Sequence, residues 1–181
     1  MPIFAARVKT GRELDVCSRM QGRLNRSEVA KCRSSKCMVL RSEIQKRFSG
    51  GEWRTETVVL FSGYVLVDAK VPEECDRLFR SLPGCYGLLT SGQFYQCLTR
   101  DEVVRLSIWT DQEDCLLKMS EGRIDENGGR AFVTKGPLKG HEVTIVRLNR
   151  HKRFAFVEVG FLGRTTTVKV GLEILSNASS N

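Results

Sequence analysis

Apolar and polar positions in the first 110 residues switch between the period of a strand and that of a helix. Short runs rich in valine, leucine and phenylalanine predict strands, whereas Leu14, Cys17 and Met20 recur at helical spacing. Pro72 suits the first turn of a helix, and the Thr99-x-x-Glu102 spacing is a capping box. The predicted strands are Ile3–Val8, 37–48, 63–67 and 85–89, and residues 53–61 lead into the third of them. The predicted helices are 11–24, 72–82 and one that begins at Thr99.

The pattern changes twice after this segment. Residues 111–130 are acidic and end in Asn-Gly-Gly, which predicts a flexible linker with a short helical piece around residues 115–119. From Ala131 onward helical periodicity disappears, and about five short strands predict a small β-barrel. The chain is therefore expected to hold an α+β domain at 1–110, with helices flanking an antiparallel sheet, then a linker at 111–130 and a barrel domain at 131–181.

Charge adds a class of partner to this picture. The net charge is +8 and the sequence pI is near 9.3, which favours nucleic acid first and an anionic membrane surface second. The linker is net acidic, whereas both flanking segments are basic. No apolar stretch is long enough to span a bilayer, and the N-terminus lacks the pattern of a signal peptide. We therefore expect a cytoplasmic monomer without membrane contact.

The number and spacing of the cysteines favour buried structural residues over metal ligands or catalytic thiols. Seven cysteines at irregular spacing indicate free thiols in a reducing compartment, most of them small buried hydrophobes. Cys32 and Cys37 are the closest pair, but no second pair matches them, so no metal or other cofactor is expected. No phosphate loop or paired acids indicate catalysis, and no catalytic residue is predicted. A thiol enzyme that uses Cys85 or Cys97 stays as an alternative.

Four phrases along the chain stand in the order of a known two-domain family. Residues 60–67, LFSGYVLV, are similar to the phrase that follows the mobile hairpin of the NusG N-terminal (NGN) domain, and residues 82–89, LPGCYGLL, to the phrase after its second helix. Residues 136–140, GPLKG, resemble the KOW motif, and residues 161–165, FLGRT, the late hairpin of the C-terminal KOW barrel. Over nearly its whole length the chain thus resembles the NusG transcription factors of bacteria.

This resemblance implies a function. NusG proteins grip the clamp of RNA polymerase with the NGN domain, and in housekeeping members the KOW barrel binds ribosomal protein S10 or the termination factor Rho. The run Arg150-His151-Lys152-Arg153 and the arginine-rich N-terminal region are more similar to a specialised LoaP-type paralogue. The resemblance therefore implies a transcription elongation and antitermination factor, not an enzyme. The alternative is a KOW-containing, ribosome-associated RNA-binding protein without polymerase contact.

Family position also suggests contact residues. Phe61 and Tyr64 fall where an exposed aromatic patch meets the polymerase clamp, although such a pair can equally be plain core. Phe161 and Leu162 fall in the hairpin that contacts S10 in the family, and adjacent strand residues point to opposite faces, so one of them should be exposed. The basic segment Arg19–Lys36 is either a solvated face or a contact to DNA phosphates.

The basic residues of the last segment are expected to form one continuous face. Such a face suits the backbone of a structured RNA, especially a hairpin recognised by its shape, so RNA is favoured over S10 or Rho as the partner of the KOW domain. A charged turn that only keeps the loop soluble is the alternative. The predicted RNA-binding residues are Lys139, Arg147, Arg150, His151, Lys152, Arg153, Arg164 and Lys169.

Overall fold

The computed structural model describes residues 2–111, 113–125 and 130–175. The helices are α1 Glu13–Asn25, α2 Ala30–Arg33, α3 Pro72–Phe79 and α4 Arg100–Trp109, with a 3-10 turn at Glu142–Thr144. The strands are β1 Ile3–Val8, β2 Lys36–Met38, β3 Arg41–Arg47, β4 Trp53–Val59, β5 Tyr64–Asp68, β6 Cys85–Leu88, β7 Thr90–Ser91, β8 Phe94–Tyr95, β9 Leu116–Leu117, β10 Ser120–Ile124, β11 Ala131–Lys135, β12 Ile145–Asn149, β13 Phe154–Phe161 and β14 Arg164–Ile174.

The chain divides into two compact units. Unit 1 comprises the described residues within 1–40, 61–104 and 161–163. Unit 2 comprises those within 41–60, 105–160 and 164–181. Each unit therefore draws on widely separated parts of the chain.

Unit 1 is built on a four-stranded sheet in the order β2-β5-β1-β6. The β1 strand pairs antiparallel with β5, from Ile3 opposite Asp68 to Arg7 opposite Tyr64. Helix α1 lies against β2, β5 and α3, and it buries Val16, Met20 and Leu24 completely because these residues recur every four positions. This mixture of helices and an antiparallel sheet agrees with the predicted α+β class.

Unit 2 contains two further sheets. In the three-stranded sheet β4-β3-β9, β3 and β4 form an antiparallel hairpin and β9 runs parallel to β3. The other sheet has five strands in the order β11-β10-β14-β13-β12, and β10 runs parallel to β14. Strand β14 passes close to β3 at Gly171, where a Cβ atom would lie 2.4 Å from the carbonyl oxygen of Glu43. Only glycine permits this close approach of two backbones.

The structure corrects several predictions from the pattern. The helical piece expected around residues 115–119 is wrong, because Leu116–Leu117 pairs with β3 as a strand. The alternating segment 37–48 forms two strands, β2 in unit 1 and β3 in unit 2. Among the described residues from Ala131 to Leu175 there are four strands, where about five were expected, and the fifth strand of that sheet is Ser120–Ile124 from the predicted linker.

The closed barrel and the boundaries at 1–110, 111–130 and 131–181 stay predictions. Gln112 and residues 126–129 of the expected linker lie outside the described residues. Within the described ranges, no helix has both the length and the apolar character needed to cross a bilayer.

Candidate functional site

The aromatic pair Phe61 and Tyr64 sits at a tight turn that enters β5. Gly63 has a φ of +82°, and its carbonyl accepts a hydrogen bond from the Val8 N–H at 2.9 Å. The Tyr64 N–H donates to the Phe61 carbonyl at 3.3 Å, which closes the turn. A side chain at Gly63 would be strained in this conformation and would also approach the Thr10 hydroxyl at 3.1 Å. The turn therefore depends on glycine, and it sets the positions of both aromatic rings.

A buried carboxylate supports this turn from α1. Glu13 is only 4% exposed, and its Oε1 accepts hydrogen bonds from the N–H groups of Gly63 at 2.7 Å and Gly11 at 3.1 Å. Burial alone would raise the pKa of Glu13, but the backbone N–H donors outweigh it and the net pKa is lowered. An ionised Glu13 thus fixes the backbone between Phe61 and Tyr64. The sequence carried no signal for this role, because the two segments lie 50 residues apart.

The third aromatic residue of this site is Phe161. Its ring stacks on Phe61 with centroids 4.0 Å apart and planes at 10°, and it meets Tyr64 edge-on at 5.3 Å. Phe61 is 6% exposed and Phe161 is 4% exposed, whereas Tyr64 is half-buried under the guanidinium of Arg7 at 4.8 Å. The expectation of an exposed aromatic pair is therefore wrong for Phe61, because Phe161 covers its ring.

Glu102 holds the residues next to Phe161. The predicted capping box is confirmed, since Glu102 Oε2 accepts from the Thr99 N–H at 2.8 Å and the Glu102 N–H donates to the Thr99 hydroxyl at 3.3 Å. The other oxygen, Oε1, accepts from the Gly163 N–H at 2.9 Å. Leu162, between Phe161 and Gly163, is half-buried with a φ of +56°. Of the two residues predicted to contact a protein partner, Phe161 is thus buried and Leu162 occupies a turn with unfavourable backbone geometry.

The predicted RNA-binding residues all belong to unit 2, and their arrangement as one continuous face stays a prediction. Three of them, His151, Lys152 and Lys169, line one cleft. Arg147 lines a different groove beside Phe132 and Val146. Three further residues of the set are exposed and line neither of these two depressions: Lys139, Arg150 and Arg164.

The side chain of Arg153 contacts three other residues of unit 2. Its guanidinium lies 4.3 Å above the Trp53 ring, donates to Gln45 Oε1 at 2.5 Å and forms an ion pair with Glu173 at 3.0 Å. It adopts a φ of +51° while making these contacts. The RNA-binding role of Arg153 stays a prediction, and within unit 2 its charge is balanced by Glu173.

The cleft has a volume of about 440 Å³ and combines the two strands of the β3–β4 hairpin with the 150–153 turn. Lys169 places its ammonium group 4.1 Å above the Phe154 ring at one side. Arg47 lies directly opposite Trp53 in the hairpin register. Sequence reasoning missed Lys46, Arg47 and Trp53, although a signal existed: basic and aromatic residues flank the Ser-Gly-Gly turn at 49–51. The residues that line the cleft are Ile44, Gln45, Lys46, Arg47, Trp53, His151, Lys152, Phe154 and Lys169.

Four of the cysteines are packed into the protein interior. Cys32, Cys37, Cys75 and Cys85 are buried, as predicted for small hydrophobes. Burial raises the pKa of Cys85 and raises that of Cys75 to about 12, the opposite of the shift that a reactive thiolate needs. Cys97 is exposed. Among the described residues, no group of three histidine, cysteine or acidic side chains is arranged to hold a metal ion.

Comparison with known proteins identifies the family. The family model described as NusG, transcription termination factor nusG, matches residues 3–107, which is more than half of the chain. The chain thus belongs to the NusG family of transcription factors. No curated protein matches it.

Among solved structures, the chain is similar to Thermotoga maritima NusG, described under "Domain interaction in Thermotoga maritima NusG". The identity is 19%, the match covers 94% of this chain and 93% of that one, and the TM-score is 0.53, which supports a shared fold. A second similarity, to "Crystal Structure of MjSpt4:Spt5 complex conformation B", has 15% identity, 93% and 91% coverage and a TM-score of 0.40.

Proposed function

We propose that this protein is a transcription elongation and antitermination factor that binds the clamp region of RNA polymerase through the Phe61–Tyr64 turn. The observation that carries this proposal is the construction of the turn. A buried carboxylate, Glu13, and a positive-φ glycine, Gly63, hold two aromatic rings in fixed positions. Rigid aromatic anchors of this kind are the residues that dominate binding energy in protein interfaces. Membership of the NusG family supplies the class of partner.

In the arrangement described above, Phe161 occupies the surface that polymerase would contact. We therefore propose that the Phe161–Gly163 segment competes with polymerase for Phe61 and Tyr64. The stack on Phe61 and the Glu102–Gly163 hydrogen bond stabilise the covered arrangement. Polymerase binding then requires that Phe161 leaves the ring of Phe61, and the free energy of that step lowers the apparent affinity.

The second contact of the proposed function is RNA, bound by the basic side chains of unit 2. The exposed residues Arg150, His151 and Lys152 lie together on the turn between β12 and β13. Contacts between such side chains and phosphates release counterions, so binding should weaken steeply with salt. A LoaP-type specialisation rests on this surface, and S10, Rho and the DNA backbone are other partners that the family would allow.

The test is polymerase capture by the full chain and by Tyr64→Ala and Phe61→Ala variants. Loss of an interface anchor should weaken binding about 30-fold or more, since hot-spot truncations cost at least about 2 kcal/mol and each 1.4 kcal/mol is tenfold. Phe94→Ala is the matched control, because Phe94 belongs to the same unit but is 70% exposed and lies outside the aromatic cluster.

Circular dichroism should show that the variants keep their fold. Normal polymerase binding by folded Tyr64→Ala protein would contradict the proposal. Co-purification of the wild-type chain with ribosomes in place of polymerase would favour a ribosome-associated RNA-binding protein.

A further inference from the structure

The cleft between the β3–β4 hairpin and the 150–153 turn is strongly basic. Lys46, Arg47, Lys152 and Lys169 line it together with His151, and none of the described residues that line it carries a carboxylate. Two nearby acids are engaged with cations: Glu56 pairs with Lys46 at 3.3 Å, and Glu173 pairs with Arg153 at 3.0 Å. The cleft therefore attracts an anion that carries more than one charge.

Aromatic rings accompany the cations in this cleft. Trp53 lines one side, and its ring makes a cation–π contact with the Arg153 guanidinium at 4.3 Å. The Phe154 ring makes a cation–π contact with the Lys169 ammonium group at 4.1 Å. Both rings are half-buried, so part of each remains accessible. Proteins that bind single-stranded nucleic acid combine these features, with aromatic rings that stack on bases and a basic groove that follows the phosphates. Phosphate alone or an acidic peptide would make no use of the indole.

The size of the cleft limits what enters it. Its volume of about 440 Å³ is at the lower end of the range for pockets that hold small molecules, about 300–1,000 Å³. A base inside a duplex is stacked on its neighbours and cannot enter such a space without leaving the helix. The cleft therefore suits one unpaired nucleotide, with the flanking phosphates on the exposed lysine and arginine side chains at its rim.

We propose that this cleft binds a single-stranded nucleic acid, with one base stacked on Trp53 and the adjacent phosphates held by Arg47, Lys152 and Lys169. The proposal rests on the RNA contact of the proposed function and defines it further, because it moves recognition from the shape of a hairpin to an unpaired nucleotide. It also adds the β3–β4 hairpin to the binding surface. Arg153 serves as a positioning residue, since it holds Trp53 and Gln45 while Glu173 balances its charge.

Tryptophan fluorescence of the full chain provides a direct assay. The sequence has two tryptophans, and Trp109 is 1% exposed, so a Trp109→Phe variant isolates the signal of Trp53. The probes are a ten-nucleotide oligoadenylate RNA, the DNA of the same sequence, a blunt duplex of equal length and polyglutamate. Saturable quenching by the single strands, with little quenching by duplex or polyglutamate at equal charge, is the expected result. Tighter binding of the RNA would indicate a transcript as ligand, and tighter binding of the DNA would indicate an exposed DNA strand.

Variants are compared by the anisotropy of fluorescein-labelled oligoadenylate. Trp53→Ala should weaken single-strand binding about 5- to 150-fold, the range that corresponds to the loss of one base stack, and Trp53→Phe should retain part of the affinity. Lys152→Ala should reduce the slope of log affinity against log salt by about 0.7, as for one lost phosphate contact. Lys70→Ala, an exposed cation between β5 and α3 in the other unit, is the matched control and should change neither quantity.

The results of these experiments distinguish failure of the cleft proposal from failure of the proposed function. RNA binding that is unaffected by folded Trp53→Ala and Trp53→Phe variants, or equal affinity for duplex, would overturn the cleft and leave the wider basic surface in place. Trp53-dependent binding of oligoadenylate by a chain that fails to capture polymerase would support the cleft and contradict the proposed function.

Discussion

Replacing Phe161 by alanine is the most informative single change, because it should strengthen polymerase binding. The substitution removes a ring that stacks on Phe61 at 4.0 Å and meets Tyr64 at 5.3 Å, and that is 4% exposed. Each aromatic pair contributes about 0.5–1.5 kcal/mol beyond the area that it buries. Truncation of a buried phenylalanine to alanine costs about 3–5 kcal/mol in total. The Glu102–Gly163 hydrogen bond is retained, since it involves the backbone of Gly163.

The arrangement in which residue 161 covers Phe61 should thus become less stable by at least about 1 kcal/mol, the lower bound for two aromatic pairs, and by at most about 5 kcal/mol. If it limits the fraction of molecules that can bind, the apparent polymerase affinity rises in proportion to the fraction uncovered. A shift of 1–3 kcal/mol corresponds to a gain of about 5- to 150-fold. The gain ends once nearly all molecules are uncovered, so a larger shift produces no further increase.

The assay is a titration of fluorescently labelled protein with core RNA polymerase, for the wild type, Phe161→Ala and the double variant Phe161→Ala with Tyr64→Ala. The single variant should bind more tightly than the wild type, and the double variant should lose that gain. Circular dichroism and thermal melting establish that each protein is folded. Unchanged or weaker binding by folded Phe161→Ala would refute the idea that Phe161 competes with polymerase.

Two further predictions concern stability. Because the pKa of Glu13 is lowered, its stabilising effect is fully present above the ordinary glutamate pKa of 4.5 and is lost as the pH falls through the lower pKa of the folded state. The melting temperature of the wild type should therefore fall in acid, whereas that of Glu13→Gln should be lower near neutral pH and change less with pH. Parallel profiles of melting temperature against pH would count against this role of Glu13. Gly171→Ala should destabilise the chain by about 1–3 kcal/mol in urea unfolding, because the new Cβ would lie 2.4 Å from the Glu43 carbonyl oxygen. Gly50→Ala, with open space around it, is the control, and equal stability of both variants would show that β14 and β3 do not approach so closely.

Much of unit 1 was accessible from local sequence rules. The first strand, the helix that begins at Pro72 and the capping box at Thr99 and Glu102 depend on residues within a few positions of one another. Periodicity and capping act over such short distances, so the pattern alone indicates them correctly. The placement of a charged turn between two strands at 150–153 was predictable for the same reason.

Predictions failed where a contact joins distant residues. The helical piece expected at 115–119 became a strand because β3, more than 70 residues earlier, offers its edge to Leu116 and Leu117. The exposed position expected for Phe61 became a buried one because Phe161, 100 residues later in the chain, lies on its ring. Neither partner can be identified from the pattern around the residue itself.

The basic turn at 150–153 shows the same difference between what local sequence predicts and what tertiary contacts decide. Arg150, His151, Lys152 and Arg153 are adjacent in the sequence, and all of them except the histidine are formally positive. Their roles differ because Trp53, Gln45 and Glu173 are near Arg153 and engage it, while Lys152 stays exposed at the cleft. Residue type is a property of the chain, whereas desolvation and pairing depend on which neighbours folding brings within a few ångströms.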